Sequence, residues 1–124
     1  MQQPAKLLTA AASAAALLGS LALMPAGTAD AATSSAAQQG KSIAFNRKEG
    51  NCLACHKMDH GEMAGNIGPP LANMKQRFPD RSKLYAHVYN EHKFHPGSIM
   101  PPFGPNHILT PDQIHKVVAY LYTL

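Results

Sequence analysis

A chain of 124 residues carrying two cysteines, no tryptophan and a formal net charge of +4 is one domain at most. Its Lys and Arg residues are scattered without a dense run, which argues against a nucleic-acid partner and reads as an ordinary solvated surface. Ten prolines and nine glycines leave room only for short regular elements.

Residues 1–31 read as a secretory signal peptide. One basic residue, Lys6, precedes an apolar run from Leu7 to Met24, and small residues lead to Ala29-Asp30-Ala31, an A-x-A cleavage pattern. Cleavage after Ala31 is expected, leaving a mature domain at 32–124, exported to the periplasm without a membrane anchor. The competing reading, a retained anchor, is weakened because the run is barely long enough to span and is diluted by Ala, Ser, Thr and Gly. A mature chain this short buries little surface. With few phenylalanines, it is short of core-filling bulk, which a large apolar prosthetic group would supply.

Residues 32–37 are small and polar and read as a loose N-terminus. A helix is expected over 38–48, with Ile43, Ala44 and Phe45 apolar and Gly50 as its stop. Gly40 and Ala44 lie four apart, on one face, where small side chains let another helix approach closely. From Asp59 to Asn73 the chain is rich in Gly and Pro and reads as loop. Asp80 is the expected N-cap of a second helix with Leu84, Tyr85, Val88 and Tyr89 as its stripe. Proline and glycine make 90–106 irregular again. The last helix is the best marked. Thr110-Pro111-Asp112-Gln113 fits a capping box, Leu109 and Ile114 fit a hydrophobic staple, and Ile114, Val117, Val118 and Leu121 form one apolar stripe flanked by Tyr120. Without strand signals or repeats, the fold class is all-α: short helices joined by stiff Pro/Gly-rich loops.

Both cysteines sit in Cys52-Leu53-Ala54-Cys55-His56. On one helical turn, Cys52, Cys55 and His56 project from the same side, as covalent haem requires: two thiols for the vinyl groups and an imidazole for the iron. C-x-x-C-H is the attachment pattern for c-type haem. A structural zinc site lacks a second cysteine pair and finger-spaced histidines. A thioredoxin-type redox disulfide lacks its βαβ setting. One covalently bound haem c is therefore the expected cofactor.

A second axial ligand could come from Met58, Met63, Met74 or Met100, or from a histidine. Met58 is too close to His56 to reach the other face, and no rigid setting holds Met63 or Met74. Met100, in Ser98-Ile99-Met100-Pro101-Pro102-Phe103-Gly104, has enough intervening chain to encircle a haem, and the paired prolines fix the backbone beside the sulfur. His92 and His95 stand as substitutes, and His60, His87, His107 and His115 read as surface or packing residues. A proximal histidine needs its other ring nitrogen hydrogen-bonded, and Pro69, in the stiff Gly68-Pro69-Pro70-Leu71, is the candidate carbonyl.

Together these pieces resemble the monohaem class I cytochromes c, from about Gly40 to the C-terminus. The resemblance implies covalent attachment at Cys52 and Cys55, His56 as proximal ligand, Pro69 as its carbonyl partner, Met100 as distal ligand, and a C-terminal helix crossing the first. One departure is that the family's aromatic four residues after the glycine is Ala44 here, with Phe45 next.

A narrower resemblance rests on GNCLACHKM, GNIGPPL, RFPDRSKLY, IMPPFG and VVAYLYTL in order. They are similar to the SoxX family, small cytochromes of sulfur-oxidising systems. That resemblance implies a periplasmic heterodimer with a SoxA-like subunit of one or two haems. In such a complex, classed as an L-cysteine S-thiosulfotransferase, thiosulfate is joined to a cysteine of a SoxYZ-like carrier. The released electrons leave through the SoxX haem to a soluble cytochrome c. This chain has no acid, base or nucleophile cluster and no spare cysteine, so it is expected to carry no catalytic residues and to leave catalysis to the partner. The rival readings are a free monohaem shuttle serving a respiratory oxidase and a haem-based sensor with an exchangeable sixth ligand.

Overall fold

The computed structural model describes residues 28–124. The apolar run Leu7–Met24 lies outside them. Helix α1 spans Thr28–Phe45, α2 Met74–Arg77, α3 Arg81–Tyr89 and α4 Pro111–Leu121, with 3₁₀ turns at Cys52–Ala54 and Glu91–Lys93. Among the described residues there is no strand, only an isolated bridge between Met58 and Leu71, so the chain is all-α. No helix among them is long and apolar enough to cross a membrane.

The main packing is α1 across α4. Gly40 marks the crossing: a Cβ there would lie 1.9 Å from the Lys116 carbonyl oxygen, so only glycine lets the two backbones meet. Ala44, one turn on, is fully buried. The position that departs from the family's aromatic is thus filled by a methyl group, and Phe45 beside it takes an edge-to-face contact with Tyr120, ring centroids 6.1 Å apart.

Helix α1 differs from the sequence expectation at both ends. Instead of starting at 38 after a loose segment, it extends back to Thr28. Ala31, Ala32, Ala36 and Ala37 are the best helix formers, so propagation from the packed turn at Gly40 costs little even through exposed residues. It also closes at Phe45 rather than running to Lys48. The Asn46 side-chain oxygen takes the Lys48 N–H, and the Gly50 N–H folds back onto the Ile43 carbonyl at 3.1 Å, so local bonds replace the helical ladder.

Helix α4 follows its sequence signals. The Thr110 hydroxyl accepts the Gln113 N–H, and the Gln113 side chain accepts the Thr110 N–H. Ile114, Val117, Val118 and Leu121 are all buried, and so is Leu109 before the cap. The Asp80 carboxylate caps α3 by accepting the Ser82 N–H, and α3 buries Leu84 and Val88 against α4. Met74 N–H bonded to the Leu124 carbonyl, and Tyr122 hydroxyl bonded to the Phe78 carbonyl, tie the C-terminus to α2.

Candidate functional site

Asn51, in the left-handed region at φ 47°, turns the chain into the 3₁₀ turn that carries both cysteines. The Cys52 carbonyl accepts the N–H of Cys55 and of His56, at 3.2 and 2.9 Å, which gathers the three side chains on one short turn. The following loop returns beneath them. Gly65 N–H bonds the Leu53 carbonyl, Gly68 N–H the Cys55 carbonyl and Leu71 N–H the Lys57 carbonyl. Gly68 lies so close to the imidazole that a Cβ would stand 2.3 Å from His56 Cε1. The next residue places its carbonyl 2.7 Å from His56 Nδ1. A carbonyl can only accept, so Nδ1 carries the proton and Nε2 keeps its lone pair.

Cys52, Cys55, His56 and Met100 all line one cavity of about 740 Å³. Phe78, Leu84, Val88, Phe103, Val117 and Leu121 make its wall apolar. The thiols are not joined. Burial pushes the Cys52 thiol up to about 11, the opposite of what a reactive thiolate or a zinc ligand needs.

The loop of Met100 is held from two sides. Met100 N–H donates to Ser98 Oγ at 3.1 Å, and His92 Nε2–H donates to the Met100 carbonyl at 2.9 Å. Phe103 is buried and lines the same cavity, and Gly104 N–H bonds the Tyr89 carbonyl at 3.0 Å. Of the other candidate methionines, Met74 also lines this cavity, whereas Met58 and Met63 do not. Met58 is core, Met63 is exposed to solvent, and Met74 is buried with its sulfur facing the Arg77 guanidinium. Among the histidines, His60 is exposed and His115 stacks on Tyr85. From the sequence, His87 is expected as a surface or packing residue and His95 as a substitute ligand. They meet around Glu91 at the same cavity, a cluster that the spacing H-x₃-E-x₃-H in the sequence could have signalled. His92's bond to Met100 had no sequence signal, because it crosses an irregular loop.

A largely apolar cavity walled by two unjoined thiols, an imidazole with a free nitrogen and a thioether fits a covalently attached haem and defines a small helical redox carrier. The family model for cytochrome c matches residues 37–124, and the chain belongs to that family, whose members carry covalently bound haem c and transfer electrons. Within it, the chain is a SoxX-like class I cytochrome c. A chain of the crystal structure of SoxXA from P. pantotrophus matches with a TM-score of 0.62 and 29% identity, covering 69% of this chain and 79% of that one. An uncharacterized lipoprotein of Aquifex aeolicus is 42% identical over 76 residues, 60% of this chain. The match spans 37% of that relative's length.

Proposed function

We propose that this chain is the monohaem electron-transfer subunit of a periplasmic SoxAX-like complex, taking electrons released when a SoxA-like partner joins thiosulfate to a carrier-protein cysteine. The observation that carries it is the single cavity shared by the C-x-x-C-H turn and the Met100 loop. Cys52 and Cys55 would hold one haem covalently, and His56 and Met100 would supply the donors to its iron. Bound haem supplies a one-electron ferric/ferrous couple. The Pro69 carbonyl fixes the His56 tautomer and orients the ring. A methionine–histidine donor pair would favour a higher reduction potential than two imidazoles, which suits an electron acceptor. The apolar wall excludes water and, in a 124-residue chain, completes the core.

Two features support a subunit over a free shuttle. Ile67, Ile99 and Ile108 are exposed at the cavity's edge, an apolar rim that a partner would cover. Once haem uses both cysteines, none remains to hold a sulfur substrate, so the sulfur chemistry of the complex would fall to the partner. Cleavage after Ala31 removes only the first residues of α1 and leaves the Gly40–Ala44 crossing intact.

The test is expression in cells that mature c-type cytochromes. A weak sulfur-to-iron band in the far red of the oxidised spectrum, lost in Met100→Ala with haem still covalently held, assigns the ligand. Co-purification with a SoxA-like subunit, and thiosulfate-dependent reduction only when that subunit and the carrier are present, assigns the complex. A colourless product with both thiols free overturns the haem reading. Failure to associate with such a subunit overturns the complex and leaves the respiratory shuttle.

A further inference from the structure

Three donors outside the haem ligand set converge where α3 gives way to the second 3₁₀ turn. His87 Nδ1 stands 2.8 Å from Glu91 Oε2, and His95 Nδ1 stands 2.5 Å from Glu91 Oε1. One ligand atom from each residue lies within 4.8 Å of the other two. We propose that His87, Glu91 and His95 form a binding site for a divalent first-row transition cation such as Zn²⁺, at the rim of the haem cavity.

The chemistry and the packing both favour a cation here. Two imidazoles and one carboxylate are borderline donors that suit this part of the transition series and not Mg²⁺ or Ca²⁺, which prefer all-oxygen sets. The four-residue spacing brings the three side chains to one side as α3 tightens into the 3₁₀ turn. Two donors are held firmly. The His87 ring stacks on Phe94 at 3.9 Å between centroids and meets the edge of Phe78 at 5.1 Å, and the Glu91 side chain is only 16% exposed. The third is open: the His95 side chain is 70% exposed, which gives the cation a way in from solvent and leaves further coordination positions for water.

In the arrangement seen here, each Nδ1–H donates to one oxygen of Glu91. With both imidazoles neutral, the cluster keeps an uncompensated carboxylate charge. Metal binding asks each imidazole to carry its single ring proton on Nε2 instead of Nδ1, which frees both Nδ1 lone pairs without net loss of a proton. A divalent cation then meets one negative charge and two lone pairs, in place of two N–H donors.

The experiment uses the haem-loaded full chain, dialysed against Zn²⁺ and assayed for bound metal by mass spectrometry, with affinity from calorimetry. The expected result is one Zn²⁺ per chain, weakened about tenfold or more in both Glu91→Gln and His95→Ala, and retained in His60→Ala, whose imidazole is exposed and distant from the cluster in sequence. His95→Ala changes a surface side chain, so it reports even where Glu91→Gln perturbs the turn. Absence of bound Zn²⁺, or unchanged affinity in either variant, overturns the proposal and leaves the three residues as a hydrogen-bonded brace. The outcome is independent of whether the chain works as a SoxX-like subunit.

Discussion

The hydrogen bond from His92 to the Met100 carbonyl makes the firmness of the Met100 loop quantitatively testable. His92→Ala removes the N–H that restrains this carbonyl, while Ser98 still holds the Met100 N–H. A hydrogen bond contributes about 0.5–1.5 kcal/mol net, and because His92 is exposed, water competes for the same carbonyl and the lower half of that range applies. Opening of the loop should therefore become about two- to fivefold easier. Titrating the ferric protein with free imidazole, followed by loss of the far-red band, reads that opening directly: apparent affinity should rise by this factor, with the band intact before addition. Ser98→Ala should give a similar rise, and the double variant a larger one. Unchanged imidazole affinity would refute the restraint, and a band already absent in His92→Ala would show that the ligand depends on more than this one bond.

Gly40→Ala drives a methyl group into the Lys116 carbonyl, and backbone on both sides cannot yield as a side chain would, so a loss at the upper end of about 1–3 kcal/mol is expected in chemical denaturation. A stability equal to wild type would mean that the helices do not cross here. Tyr120 presents a different case: its hydroxyl is buried without a hydrogen-bond partner among the described residues, and that burial pushes its pKa up to about 12. Tyr120→Phe should accordingly leave stability unchanged or raise it by up to about 1 kcal/mol, and a clear loss would reveal an unseen partner. The Lys41 ammonium beside Asp59 holds that carboxyl below its ordinary value of 3.8, so the pair's contribution is present above pH 3.8 and fades as pH falls through the lower folded-state value. The stability difference between wild type and Lys41→Met should shrink on acidification through that window; a difference that stays constant would contradict the pairing.

Where neighbouring residues carry the whole signal, the sequence alone settled the outcome. The Thr110–Gln113 capping box, the α4 stripe and the Asp80 cap depend on bonds spanning a few residues, and all appear where their pattern places them. The C-x-x-C-H turn is equally local, since a single carbonyl, that of Cys52, gathers its three side chains. Fold class followed from the same short-range evidence. The limits of α1 did not, because alanine propensity, a packed glycine and a competing asparagine turn act together, and their balance depends on α4.

Only the folded chain decided which distant groups meet. The Pro69 carbonyl reaches His56 because loop hydrogen bonds and close-approach glycines fold 59–71 beneath the C-x-x-C-H turn. His92 came to donate to the Met100 carbonyl, and His87, Glu91 and His95 closed on one another at the cavity. Each of these contacts runs through irregular backbone. No repeat or propensity encodes the path of such a segment, so its course is set by the surfaces it packs against.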